Sequence, residues 1–358
     1  MRRFLLIVSI IIIIVVGGFF GWQFWKNRAS LQENTVTNLP PIESIFTKES
    51  ASALLSYATL ESGALFGVKE NGSVVSMTEN GEEELFSQNL NNVVSATFSP
   101  TGAYILFETA VNGLTSLSVL DVTNKTWNPL PGAISLGAWH PSQDRVAYLK
   151  GSPSPALVTF DIKTKKTAEV MPFSLHDAVL AWKTAQEIYI TGRPASSVTQ
   201  AAWSARIADK TIRKIIPETP ALDTLWSKDG VRALFMGKSG RNHTLFLTNL
   251  AEETALENFA NTLPSKCVIE GTTVFCGIPN SIPSGSLLPD DYEARMFYTE
   301  DAIFSWDIIS GTVTRIDTPD IISVDVYKPT LRGDRLFFLN RYDRLLYSLP
   351  IKELESSN

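Results

Sequence analysis

Asp290, Asp291, Tyr292 and Glu293 form the densest group of chemically capable side chains in this chain. Three carboxylates beside one phenol suit a cation or a basic peptide, because opposite charges attract and the phenol adds a donor. The spacing does not follow the EF-hand pattern, so it does not read as a calcium loop. The group lies between Cys276 and Asp301, in the stretch GIPNSIPSGSLLPDDYEARMFYTE. That stretch is too long and too proline-rich for an ordinary hairpin. Long loops on rigid scaffolds often carry function. Two readings stand side by side: ligand contact through the four residues, or packing of the loop onto its scaffold.

The other reactive types point to less. Cys267 and Cys276 are the two cysteines, nine positions apart around a turn at Gly271. Across a hairpin they would face one another at disulfide distance. A disulfide implies an oxidising compartment; the competing reading is two small buried thiols. Their spacing is not C-x-x-C, and no histidine lies near to complete a metal set. The three histidines, His140, His176 and His243, have no metal-ligand spacing, and His140 reads as a solvated turn residue. There is no G-x-S-x-G elbow and no P-loop. No catalytic residue, metal site or cofactor is expected from these motifs.

The elements that must position these residues come from a repeat. Phe98 opens FSPTGAYILF, Trp139 opens WHPSQDRVAYL, Trp182 opens WKTAQEIYI and Trp226 opens WSKDGVRALF, at steps of 41, 43 and 44 residues. A period in the forties with hairpin punctuation is the signature of a β-propeller, one four-stranded blade per repeat. Weaker copies fall at Tyr57, Cys267 and Tyr327. The fold class is therefore all-β, a seven-bladed propeller, with six or eight blades as alternatives because the 277–300 insertion blurs one boundary. Large rings at the blade starts are expected as wedges between neighbouring sheets. Asp121, Asp161 and Asp307 end apolar strands before polar turns, where an aspartate bonds nearby backbone N–H groups. The last copy runs out of chain before its fourth strand. Residues 42–46 are expected to supply that strand and fasten the ring.

Residues 4–25 form an apolar run whose one strongly polar member is Gln23, ending in Trp22, Phe24 and Trp25. As a helix this run would be about 33 Å long, enough to span a bilayer core. The run exceeds a signal-peptide core, and Arg28-Ala29-Ser30 is a poor cleavage site, so an uncleaved anchor is expected. The layout is a cytoplasmic tip (1–3), an anchor in the lipid bilayer (4–25), a linker (26–41), the propeller (42–351) and a tail (352–358). Slight charge bias places the body outside the cytoplasm. Beyond residue 28 the chain holds 27 basic and 37 acidic residues, a net −10. That opposes nucleic-acid binding, which needs clustered Lys and Arg.

The W-S-x-D-G turn followed by an apolar strand, best kept at Trp226–Phe235, resembles TolB-type and other WD-repeat-like propellers. The sixth repeat is also similar to a block in uncharacterised membrane-anchored propeller proteins of bacteria. Lys266, Cys267, Cys276, Pro279, Pro289, Asp290, Asp301 and Trp306 fit that block, with Tyr292 where tryptophan is common. The resemblance implies an anchored propeller and brings no reaction with it. The expected function is a binding or scaffold module outside the cytoplasm for a protein, peptide or cell-envelope ligand. The alternatives are a propeller enzyme, a hydrolase or lyase on glycan or peptide with its active site at a channel mouth, and a structural envelope spacer.

Overall fold

The computed structural model describes residues 45–351, except 91, 112–113, 152–153, 176, 240–241, 251–253, 257–260 and 317–321. The expected tip, anchor, linker and tail, and His176, lie outside the described residues. No helix among the described residues is long and apolar enough to cross a membrane.

Among the described residues the chain forms seven antiparallel sheets of four strands each. Six sheets take four consecutive strands in sequence order. Their first strands are Ser56–Thr59, Val93–Phe98, Ala138–Trp139, Ala178–Trp182, Asp223–Trp226 and Cys267–Glu270; the seventh blade begins with Val326–Arg332. First strands of successive blades approach one another, which places them around the axis. The second strand, such as Arg145–Lys150, is buried along most of its length. Both of its faces meet neighbouring sheets, so its sequence is continuously apolar rather than alternating. The outermost strand, such as Lys166–Pro172, is largely exposed and correspondingly polar.

The repeated motifs have local physical roles. Asp121, Asp161 and Asp307 each accept a backbone N–H three residues on, at 2.8 Å, from Asn124, Thr164 and Ser310. In the W-S-x-D-G turn, Ser227 Oγ donates to Asp229 at 2.6 Å and accepts from Arg232 N at 2.9 Å. Gly230 there has φ +72°, a conformation that suits glycine. Trp182 and Trp226 are buried wedges, and Trp226 packs against Tyr189 of the preceding blade with ring centroids 4.6 Å apart. Trp139 is only half-buried. His140 is buried edge-on against Trp182, at 4.7 Å between ring centroids, rather than solvated.

The period misplaces the weaker copies along their strands. Phe98 pairs with Ile105 and Trp226 with Ala233, at the turn end of the first strand. Cys267 pairs with Cys276 and Tyr57 with Gly67, two or more residues earlier along their strands. The turns in those blades are tighter, so a fixed step lands nearer the start of the strand. Each first strand thus runs from one mouth of the ring to the other, and the clear aromatics mark one mouth only.

The ring closes through the N-terminal strand Thr47–Lys48, which pairs antiparallel with the last strand, Leu346–Pro350. The pairing falls just past the expected 42–46, because Phe46 is committed to the core, its ring 5.9 Å from Phe338. Of the expected segment, 42–44 lie outside the described residues. Arg335 reinforces the seam by donating to Thr47 Oγ1 at 2.7 Å. Phe46→Ala is expected to lower unfolding free energy by about 3–5 kcal/mol, read from urea denaturation. Lys48→Ala, on an exposed position, should change it by less than about 0.5 kcal/mol.

Candidate functional site

After strand Thr273–Pro279 the chain leaves the sixth blade and returns as Asp301–Asp307. The excursion contains one helical turn, Asp290–Glu293, holding all four residues singled out above. Each side chain bonds within the protein. Asp290 accepts from Ser196 Oγ at 2.6 Å and from Ser196 N at 3.2 Å, in the fourth blade. Asp291 accepts from Leu287 N at 2.8 Å and closes its own loop. Tyr292 is wholly buried, and its hydroxyl donates to Asp325 at 2.6 Å. Glu293, the most exposed of the four, accepts from Tyr327 OH at 3.0 Å, in the seventh blade. Arg295 lies 3.7 Å from Glu70 of the first blade. A segment that leaves blade six and touches blades one, four and seven must cross the axis. It is a cap over one mouth of the ring. Of the two readings of this segment the side chains follow packing onto the scaffold: Tyr292 is buried between Lys266 and Arg341, and Asp290 and Glu293 find donors on blades four and seven.

A buried ammonium pins this cap. Lys266 ends the 3-10 turn Pro264–Lys266 and has no solvent exposure. Its Nζ donates to Asp301 at 2.6 Å, Asp325 at 2.5 Å and Thr299 Oγ1 at 2.8 Å. Removing an ammonium from water costs several kcal/mol, about the scale that only close counter-charges and full hydrogen bonding offset. Here the set is complete. Asp325 also accepts from Thr299 N at 3.0 Å, and Asp301 from Val326 N at 2.8 Å. Tyr292 lies between two cations, with Lys266 Nζ 4.7 Å and Arg341 Cζ 3.9 Å from its ring centroid. Arg341 also donates to the Tyr292 carbonyl. Two buried cations therefore face two buried carboxylates. Immediately next in sequence, Cys267 is disulfide-bonded to Cys276, Sγ atoms 2.11 Å apart. The bond ties the first two strands of the blade at the foot of Lys266.

Beneath the cap lies a cavity of about 250 Å³ lined in part by Glu293, Arg295, Tyr327, Lys328, Arg341 and Arg344. Asp223 starts the inner strand of the fifth blade at this end. Burial, aided by nearby Glu293, pushes its carboxyl up to about 7. Burial likewise pushes the Lys328 ammonium down.

The opposite mouth is open. A cleft of about 640 Å³ is lined by the turns after the first strands of several blades. Its aromatics are Phe98, Trp139 and Trp182; its cations are Lys183, Lys228 and Arg332; its one carboxylate is Glu61. An adjoining cavity of about 300 Å³ shares all three cations and adds Glu270 and Trp226. Lys183 is half-buried, and burial pushes its ammonium down. It makes no hydrogen bond or ion pair with any described residue, in contrast to Lys266. Sequence reading missed this site because Lys183 and Lys228 each follow a core tryptophan in a turn, where a lysine is ordinary. Arg332 comes from a blade more than a hundred residues away. Among the described residues no group of three or more His, Cys, Asp or Glu is placed to hold a metal ion.

No protein-family model matches the sequence, and no curated protein does. Among solved structures the chain is similar to oligogalacturonate lyase from Vibrio parahaemolyticus, at 10% identity and TM-score 0.57, covering 85% of this chain and 91% of that one. It is similar to the β-propeller domain of Cps50 (Swd1) from Myceliophteria thermophila, at 12% identity and TM-score 0.54, covering 86% and 99%. It is also similar to TolB from Acinetobacter baumannii, at 11% identity and TM-score 0.44, covering 84% of this chain and 63% of the TolB chain. At these identities the likenesses show the fold alone, a β-propeller.

Lys266→Met leaves two buried carboxylates without their cation and is expected to cost about 3–5 kcal/mol in urea unfolding. Replacing Asp301 and Asp325 with Asn in the same chain should restore part of that loss. For Asp223, the folded carboxyl near 7 exceeds the unfolded value of about 3.9, so folding takes up a proton between the two. Its contribution is full below about pH 4 and is lost as pH rises through about 7. The fall in Tm between pH 5 and pH 8 should be smaller in Asp223→Asn than in the parent chain.

Proposed function

We propose that this chain is a membrane-tethered, extracytoplasmic binding module that captures a protein or peptide at the open mouth of its propeller. The carrying observation is the asymmetry of the ring. One mouth is crossed by a cap whose polar side chains bond to the blades, and the other presents a 640 Å³ cleft containing an unpartnered lysine. Clefts with aromatic walls and a few polar groups are the usual form of ligand sites. The apolar run at 4–25 supports the tether, and the Cys267–Cys276 bond supports an oxidising compartment.

An enzyme reading draws on one observation. Asp223, raised to about 7, lies near Glu293, and perturbed carboxylates gather at active sites. The cap roofs that pair, and Glu293 is already engaged by Tyr327. Binding at the open mouth accounts for the larger cavity, and burial beside Glu293 accounts for Asp223.

The test is photocrosslinking in the native membrane with the full-length chain. Benzoylphenylalanine replaces Ser142 at the open mouth or, in a second variant, Lys210 on an outer turn; both positions are exposed. A partner joined from Ser142 and not from Lys210 is expected. The same set of partners from both positions would reject capture at the mouth.

A further inference from the structure

The open mouth carries a charge pattern that runs against the rest of the body. The chain beyond residue 28 is net −10, yet the cleft lining has three cations and one carboxylate. That carboxylate, Glu61, is highly exposed and meets equally exposed Lys228 at 3.4 Å, a pair that solvent screens. Arg332 uses its Nε on the Leu60 carbonyl at 2.9 Å and has no ion-pair partner among the described residues. Lys183 has no polar partner there at all. Other cations of the chain have close counter-charges: Lys266 has two carboxylates, Arg193 has Glu108 at 2.9 Å and Lys69 has Glu82 at 2.8 Å. Lys183 has no such counter-charge, and it stands in the 640 Å³ cleft with Phe98, Trp139 and Trp182.

The rest of the lining narrows the ligand class. Sugar hydroxyls are recognised by acceptors and amides that pair with adjacent OH groups. The cleft has no Asn or Gln and only one carboxylate. Its cations come from blades four, five and seven, so Lys183 and Lys228 stand on neighbouring turns and Arg332 two blades further round the axis. Separate cations around a narrow axis match carboxylates spaced along one extended chain. The aromatic wall at Phe98, Trp139 and Trp182 matches an apolar side chain between them.

Resting on capture at this mouth, we infer that the ligand is an acidic peptide segment with interspersed apolar residues, its carboxylates held by Lys183, Lys228 and Arg332. Lys183 is the specificity-determining contact. It is half-buried with no polar partner among the described residues, and the ligand supplies its counter-charge. Lys228 and Arg332 steer the acidic chain into the mouth, so association weakens with added salt.

Fluorescence anisotropy with the full-length chain tests this. The probe is a labelled octapeptide alternating glutamate and phenylalanine, with the same peptide in glutamine form and trigalacturonate as comparison arms. Saturable binding of the glutamate peptide is expected, about tenfold or more weakened by the glutamine replacement or by Lys183→Gln, roughly the range for losing one close charge contact. Glu61→Lys should tighten it, and Lys210→Gln should leave it unchanged. Equal binding of the glutamine peptide, unchanged binding by Lys183→Gln, or no saturable binding would overturn the inference. Displacement by trigalacturonate at lower concentration than by unlabelled peptide would overturn it in favour of an acidic glycan. A Ser142-specific crosslinked partner without glutamate-peptide binding would leave mouth capture standing and remove this chemistry. Peptide binding without such a partner would do the reverse.

Discussion

A lysine ammonium with no solvent exposure is the constraint on which the rest of this structure turns. Lys266 Nζ is held by Asp301, Asp325 and Thr299, and these partners come from two separate stretches of chain. Asp301 opens the strand that ends the insertion. Thr299 is the insertion itself, and Asp325 precedes the inner strand of the last blade. A buried charge tolerates little misplacement, since a lost partner leaves an uncompensated ion. The insertion is thereby bound to one position across the ring. Tyr292 completes the arrangement, packed against both cations and hydrogen-bonded to Asp325.

With that cap in place the two mouths are no longer equivalent. Inner strands begin under the cap, where Asp223 and Tyr327 are half-buried beside Glu293. They end at turns that remain open to solvent, where the tryptophans of the repeat stand beside Lys183 and Lys228. The same motif therefore does two jobs. The aromatic ring packs between neighbouring sheets, and in two copies the turn that follows carries Lys183 or Lys228 to the mouth. A propeller gains a binding face in this way without any loop built for the purpose.

The blade architecture was legible because it rests on periodic local chemistry: Phe98, Trp139, Trp182 and Trp226, each followed by a turn and an apolar strand. Closure by the N-terminal segment was legible for a similar reason, since a three-stranded last blade leaves an edge exposed. The strand itself falls at Thr47–Lys48, because Phe46 fits the core better than the seam. The insertion was recognised, but the direction of its side chains was not. Three acids and a tyrosine look alike whether they face solvent or a buried lysine. Their partners, Ser196, Asp325 and Arg341, are distant in sequence and carry no signal of their own. The grouping of Lys266, Cys267, Cys276, Asp290 and Asp301 in one resemblance block now has a physical reading: apart from Asp290, which anchors the cap to blade four, they make or border the Lys266 cluster. The open mouth had no sequence signal, since its cations lie on three blades and meet only in the folded ring.

Native-state hydrogen exchange across 287–301 tests the central claim most directly, that the insertion is a fixed plug. Amide hydrogens of Glu293, Ala294 and Thr299, bonded to Pro289, Asp290 and Asp325, should exchange as slowly as those of the inner strands. Exchange at the rate of an unfolded chain, while the blades stay protected, would contradict it.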